Sequence, residues 1–197
     1  MINIPRPCKE EVIKYLNKWD SLENYVLQEK SLDKLFFNTY PNNNEIEDIL
    51  IKVSSLNDFY STNIFSVFPV AKHILELKID KRLKRKDTTL VNDISNVEIN
   101  GKNKHFYSFA TKYCSHHDPI NYPIYDNYVD KVLNYFRKKD SFCNFSSKDL
   151  KALEKEEYIK RFIVLITSLD STLNILKDNY QVSLKNFFTK TTLDTFT

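Results

Sequence analysis

Hydrophobic positions recur along most of this chain at the three-and-four spacing of a helix. In residues 9–18, Val12, Ile13 and Leu16 share one face and Trp19 follows. Residues 20–38 continue through Leu22, Tyr25, Val26, Leu32, Leu35 and Phe36. The run Tyr40-Pro41-Asn42-Asn43-Asn44 breaks the pattern. It restarts over 45–53 on Ile46, Ile49, Leu50 and Val53, and 56–61 reads as a loop or a helix end. Residues 65–77 predict another helix with Pro69 in its first turns, and a further helix is expected at 88–96. A turn at 98–103 and a helix over about 103–116 come next. Two prolines make 118–125 irregular. Residues 126–138 are helical, with Val129, Val132, Leu133 and Phe136 on one face. Ser146, with Asp149 three residues on, is the expected N-cap of a long last helix over about 147–177, and 181–197 holds a short helix at most. No repeat, linker or low-complexity segment divides the series. The expectation is therefore an all-α, single-domain helical bundle over residues 1–197.

Composition sharpens this in one respect. The chain has one glycine, Gly101, where average usage would give about fourteen. Tight hairpins, phosphate loops and dinucleotide folds use glycine for its freedom at positive φ, and helices need it least. The abundance of Asn, Lys, Ile, Tyr and Phe also has the look of AT-rich coding, which lowers glycine by itself. The net charge of +3 permits nucleic acid without demanding it. Three widely spaced cysteines, Cys8, Cys114 and Cys143, contain no C-x-x-C pair, so free thiols in a reducing compartment are expected. The start of the chain lacks the apolar core of a signal peptide, and the longest apolar stretch, 162–166, is far too short to span a bilayer. These features predict a soluble, cytoplasmic protein with no membrane partner.

The segment richest in chemistry is 100–133, NGKNKHFYSFATKYCSHHDPINYPIYDNYVDKVL. It runs from a glycine turn through a helix and a proline-bearing loop to Asp126 at the start of the next helix. By itself such an aspartate needs no role beyond capping the helix. The order of parts resembles the helix-hairpin-helix DNA glycosylases, in which a hairpin between two helices touches the DNA backbone and the next helix opens on the catalytic aspartate. Pro123-Ile124-Tyr125-Asp126-Asn127-Tyr128-Val129 looks like that aspartate segment. Ser108-Phe109-Ala110-Thr111-Lys112 is similar to bacterial proteins of the 8-oxoguanine-glycosylase fold. Leu50-Ile51-Lys52-Val53 with residues 56–64 resembles the early helix and turn that face the lesion. The resemblance covers about 45–138.

It implies a helix-hairpin-helix element and an enzyme that flips a modified base out of double-stranded DNA and cleaves its N-glycosidic bond, with no cofactor. Asp126 would be the essential carboxylate and Lys104 the nucleophile, with His105 or Ser108 as alternatives at that place, so lyase activity stays open. Gly101, Lys102, Asn103 and Lys112 would grip the DNA backbone. A flipped base needs aromatic and hydrogen-bonding neighbours, for which Tyr60, His116, His117 and Tyr125 are the candidates, with Tyr107 and Tyr122 behind them. Most aromatics of a chain with 12 Tyr and 14 Phe are core all the same.

Cys114-Ser115-His116-His117-Asp118 hints at metal. Adjacent helical residues point about 100° apart, however, and no second cluster stands at ligand spacing, so no metal site is expected. The basic run Lys81-Arg82-Leu83-Lys84-Arg85-Lys86 is either a solvated helix end or a phosphate-binding surface. A monomer in the bacterial cytosol or nucleoid is the expected setting. The competing readings are a non-catalytic DNA-binding protein on the same scaffold and a helical protein-interaction module.

Overall fold

A computed structural model describes residues 4–6 and 8–140. The fold is predominantly helical, as the periodicity predicts. Among the described residues no helix is long and apolar enough to cross a membrane. The expected last helix with its Ser146 cap, and Cys143, lie outside the described residues; Cys8 and Cys114 are free thiols.

Residues Leu22–Ile124 form one compact unit, and the described residues before and after it belong to another. The second unit contains α1 (Lys9–Asp20) and α8 (Asn127–Asp140). Helix α1 buries Val12, and α8 buries Val129, Val132 and Phe136 at helical spacing.

The larger unit begins with α2 (Glu23–Asp33), which runs without a break into a π-helical turn at Lys34–Thr39. Helix α3 spans Ile46–Phe59 and buries Ile49, Val53 and Leu56 on one side. It therefore continues past residue 53 to Phe59, so that of the two readings of 56–61, a loop or a helix end, the helix end is observed. Helix α4 (Val67–Leu77) carries Pro69 in its first turn, where a missing N–H costs nothing. Short helices α5 (Asp80–Lys84) and α6 (Leu90–Ser95) follow. Strands β1 (Asn96–Ile99) and β2 (Lys102–His105) then pair antiparallel, and α7 (Tyr107–His117) closes the unit. Within it α3 packs on α4, α6 on α7, and α7 on both α3 and the π-helical turn. Helix α7 has Phe109 through His116 buried without a break, so almost every face of it meets protein.

Two expectations change here. Residues 96–105 are a β-ribbon, so the turn between α6 and α7 is not the compact helix-hairpin-helix turn, and the helix expected from 103 starts at Tyr107. The physical reason is the Asn100-Gly101 pair: both residues have positive φ, +52° and +71°, the geometry of a two-residue loop whose twist matches the flanking strands.

Scarce glycine also has a structural consequence. Ser61, Asn63, Lys78, Lys86 and Asn100 take left-handed conformations that glycine adopts without strain. Lys78 is the clearest case, ending α4 at φ +49°. Lys78→Gly is expected to stabilise the protein by about 1 kcal/mol and raise the thermal midpoint by a few degrees; an unchanged or lower midpoint would contradict the assignment of strain there.

Candidate functional site

Two polar clusters sit inside the larger unit, on either side of Phe36 and α7. The first is centred on Asn43, in the loop before α3. Lys52 reaches from α3 with its ammonium fully buried and donates to Tyr40 O (3.1 Å), Asn42 O (2.8 Å) and Asn43 Oδ1 (2.6 Å). The Tyr113 hydroxyl of α7 donates to the same Asn43 Oδ1 at 2.6 Å. With its oxygen taken by two donors, the Asn43 amide nitrogen serves as donor to Asp80 Oδ1 (2.6 Å) and to His117 Nε2 (3.2 Å). Asp80 Oδ2 also receives the Asn43 backbone N–H at 2.9 Å.

Burial governs the ionisation of this cluster. It lowers Lys52 to about 8, against the pull of Asp80 and Asp48 toward higher values. It lowers His117 to about 3, aided by the positive charge of Lys52, which keeps the imidazole neutral and able to accept from Asn43. Tyr113 is pushed well up by the same burial. Because the Lys52 value falls on folding, the unfolded chain holds more protons between about pH 8 and 10.5. Stability is then expected to climb as pH rises from 8 toward 10. Urea unfolding across this window checks it, and Lys52→Met removes the climb.

The second cluster gathers groups from α2, the end of α3, and α7. Tyr60, the residue that ends α3, donates its hydroxyl to Glu29 Oε2 of α2 at 3.0 Å and lies 3.2 Å from His116 Nε2 of α7. The Tyr60 and His116 rings are 5.7 Å apart. His116 Nδ1 faces Asp33 Oδ1 at 4.0 Å, and the imidazole is fully buried. One turn earlier on α7, Lys112 is only 4% exposed. Its ammonium donates to Ser108 Oγ at 2.7 Å and stands 5.4 Å from the centre of the Tyr60 ring. The cluster combines an amine, an imidazole, a phenol and two carboxylates, groups that convergent sites use for proton transfer, nucleophilic attack or metal binding.

Of the residues singled out from the sequence, Tyr60, His116 and Lys112 are thus brought together. Lys112 does not face outward as a backbone-gripping lysine would, because α7 is enclosed on nearly all sides. His117 turns into the Asn43 cluster, and its ring packs on Phe36 at 5.0 Å, so the two histidines serve different clusters. Lys104 is exposed on β2, as are Gly101, Lys102 and Asn103 on the same ribbon. That exposure suits phosphate contact. It does not suit a lysine nucleophile, whose amine needs desolvation to be partly neutral near pH 7. Tyr122 is buried with its hydroxyl on Asp87 O (3.2 Å), which makes it an anchor for the basic segment rather than a pocket wall. In that segment Arg82 turns back to Asp87 (2.8 Å) and Asp93 (2.7 Å), leaving Lys81, Lys84, Arg85 and Lys86 exposed.

Tyr125 and Asp126 belong to the other unit. The Tyr125 hydroxyl donates to the Asp130 carboxylate. Asp126 Oδ1 accepts the backbone N–H groups of Tyr128 (2.9 Å) and Val129 (3.0 Å), the geometry of an N-cap for α8.

Glu29 and Asp33 carried no signal in the sequence beyond their i,i+4 spacing on one helix. Nothing local ties them to residues 60 and 116; only the packing of the helices does.

Residues 11–121 match the HI_0787_N family model, described as an N-terminal domain. A relative in Haemophilus influenzae, named only as an uncharacterized protein, is 57% identical over 111 residues, which are 56% of this chain and 55% of the relative. The match thus spans about half the length of that curated relative. No solved structure matches the chain. The family match contains both polar clusters and ends before Asp126.

Proposed function

This chain belongs to the HI_0787_N family, and we propose that it excises modified bases from double-stranded DNA by cleaving their N-glycosidic bonds, with Lys112 as the amine. The observation that carries the reading is the meeting of Lys112, Tyr60 and His116 in one cluster with Glu29. An aromatic face, an imidazole and a buried amine are the parts a flipped base and its sugar require.

Lys112 attacks the sugar C1′ through Nζ. The C1′–N bond breaks, its electron pair leaves with the base, and the base takes up a proton. The C1′–O4′ bond then opens, O4′ taking its electron pair and a proton, the amine nitrogen loses its own proton, and water hydrolyses the resulting imine. Tyr60 stacks on the base, held by its hydrogen bonds to Glu29 and His116. The exposed cations of 81–86, and Lys102 and Lys104 beside Gly101 on the ribbon, hold the phosphates. Phe65, 98% exposed in the loop braced by Asn57, adds an aromatic contact to the nucleic acid.

Presenting the protein with duplexes bearing oxidised, alkylated and hypermodified bases tests the proposal. Release of at least one base is expected, with loss of release in Lys112→Met. A panel with neither release nor binding at low salt would overturn it. The cap role of Asp126 is the observation that favours the second reading, a non-catalytic DNA-binding protein; that reading predicts lesion binding without release and no effect of Lys112→Met on binding.

A further inference from the structure

The basic turn that follows α4 has a fixed backbone. Helix α5 ends in a Schellman closure: Lys86 N–H donates to Leu83 O at 2.9 Å, and Asp87 N–H to Arg82 O at 3.1 Å. Arg82 commits its guanidinium to the fold, on Asp87 (2.8 Å), Asp93 (2.7 Å) and the Thr89 hydroxyl (3.0 Å). The Tyr122 hydroxyl donates to Asp87 O at 3.2 Å, and the side chains of Ile79 and Leu83 are buried.

The other four cations of the turn are left over. Lys81, Lys84, Arg85 and Lys86 are exposed, and none of them makes a side-chain ion pair among the described residues. Lys86 is the most informative. It closes the helix from the left-handed region, at φ +57°. A Cβ makes that conformation costly, and glycine is its usual occupant. Here a long cation stands in that place. Leu83 is the one apolar residue of 81–86, and it is buried. The outer surface therefore offers charge without a side chain to enter a bilayer or to anchor an apolar protein interface. A closely spaced run of anions is the partner that such a surface matches, and a backbone already fixed loses little freedom on contact.

We propose that the 81–86 turn is a preformed clamp for the phosphate backbone of duplex DNA. Lys86 is one of its phosphate ligands, held in a strained conformation, and Arg82 is a buttress that touches no phosphate. This deepens the DNA-binding part of the reading above and rests on it, but it does not depend on base excision.

The test is binding of the full-length protein to an unmodified duplex over a series of salt concentrations, read by fluorescence anisotropy. Such a duplex offers no modified base to excise, so the result stands apart from base release. Affinity of the parent is expected to fall steeply with salt. Lys86→Gly is expected to move two quantities in opposite directions. The thermal midpoint rises by a few degrees as strain is relieved. Affinity drops at least about threefold, and the slope of log K against log salt shrinks by about 0.9, the share of one phosphate contact. Lys86→Gln, which keeps the Cβ, is expected to show the same loss of slope without the gain in midpoint. Glutamine at all four exposed positions takes about 3–4 from the slope. No binding by the parent at low salt overturns the proposal. So does an unchanged slope in both Lys86 variants, which would leave the lysine standing in for a scarce glycine and nothing more. Tighter binding to phosphatidylserine vesicles than to the duplex overturns it as well. Base release with no loss of slope in the variants refutes the clamp and spares the excision reading; loss of slope with no release from any duplex does the reverse.

Discussion

Asn43→Ala is expected to lower stability by about 3–5 kcal/mol, which would be enough to unfold a domain of ordinary stability near its growth temperature. The asparagine makes all four hydrogen bonds its amide allows, to Lys52, Tyr113, Asp80 and His117. Removing it leaves a fully buried ammonium with two backbone carbonyls in place of three acceptors, and strips a buried phenol of its acceptor. Asn43→Asp does not restore the network, since a second carboxylate would face Asp80 at hydrogen-bond distance. Urea unfolding of both variants checks this, and a loss below about 1 kcal/mol for Asn43→Ala would show that the cluster adds little.

Lys112→Met is expected to reduce base release at least about 100-fold while leaving the fold as stable as the parent, or slightly more so. The two outcomes follow from the same burial. Enclosing an ammonium costs desolvation, and an apolar chain of similar volume escapes that cost. Methionine keeps the packing of α7 against Tyr60 and gives up the 2.7 Å bond to Ser108 and the cation's contact with the Tyr60 ring. A lysine retained for structure would give the opposite signature, with stability falling and chemistry untouched. Parallel melting and excision measurements on this variant separate the two.

Much of the architecture was legible in the chain. The apolar spacing of α1, α3, α4 and α8 is regular enough to place each helix within a few residues. The asparagine run at 42–44 is a loop because no residue there repays helical order. Residues 96–105 differ from the expected helix-to-helix turn for a definite reason. Asn100-Gly101 with Val97 and Ile99 alternating before it is a hairpin signal, and the helical segments on both sides mask it. The left-handed positions at Lys78 and Lys86 were not visible, since nothing about a lysine announces that conformation. Tyr60, His116 and Lys112 could be named from the sequence only as separate candidates. Their convergence, and the entry of Glu29 and Asp33, come from the way α2 and α3 pack beside a helix enclosed on nearly every side. A lysine is ordinarily exposed, so the sequence points Lys112 outward, and its burial is the feature that moves it from phosphate contact to chemistry.

The most direct measurement of the central claim is reductive trapping. Protein mixed with a duplex it cleaves is treated with borohydride, digested, and the DNA-linked peptide identified by mass spectrometry. The account predicts a single adduct on Lys112, absent in Lys112→Met. An adduct on Lys104, or base release with no adduct at all, would contradict it.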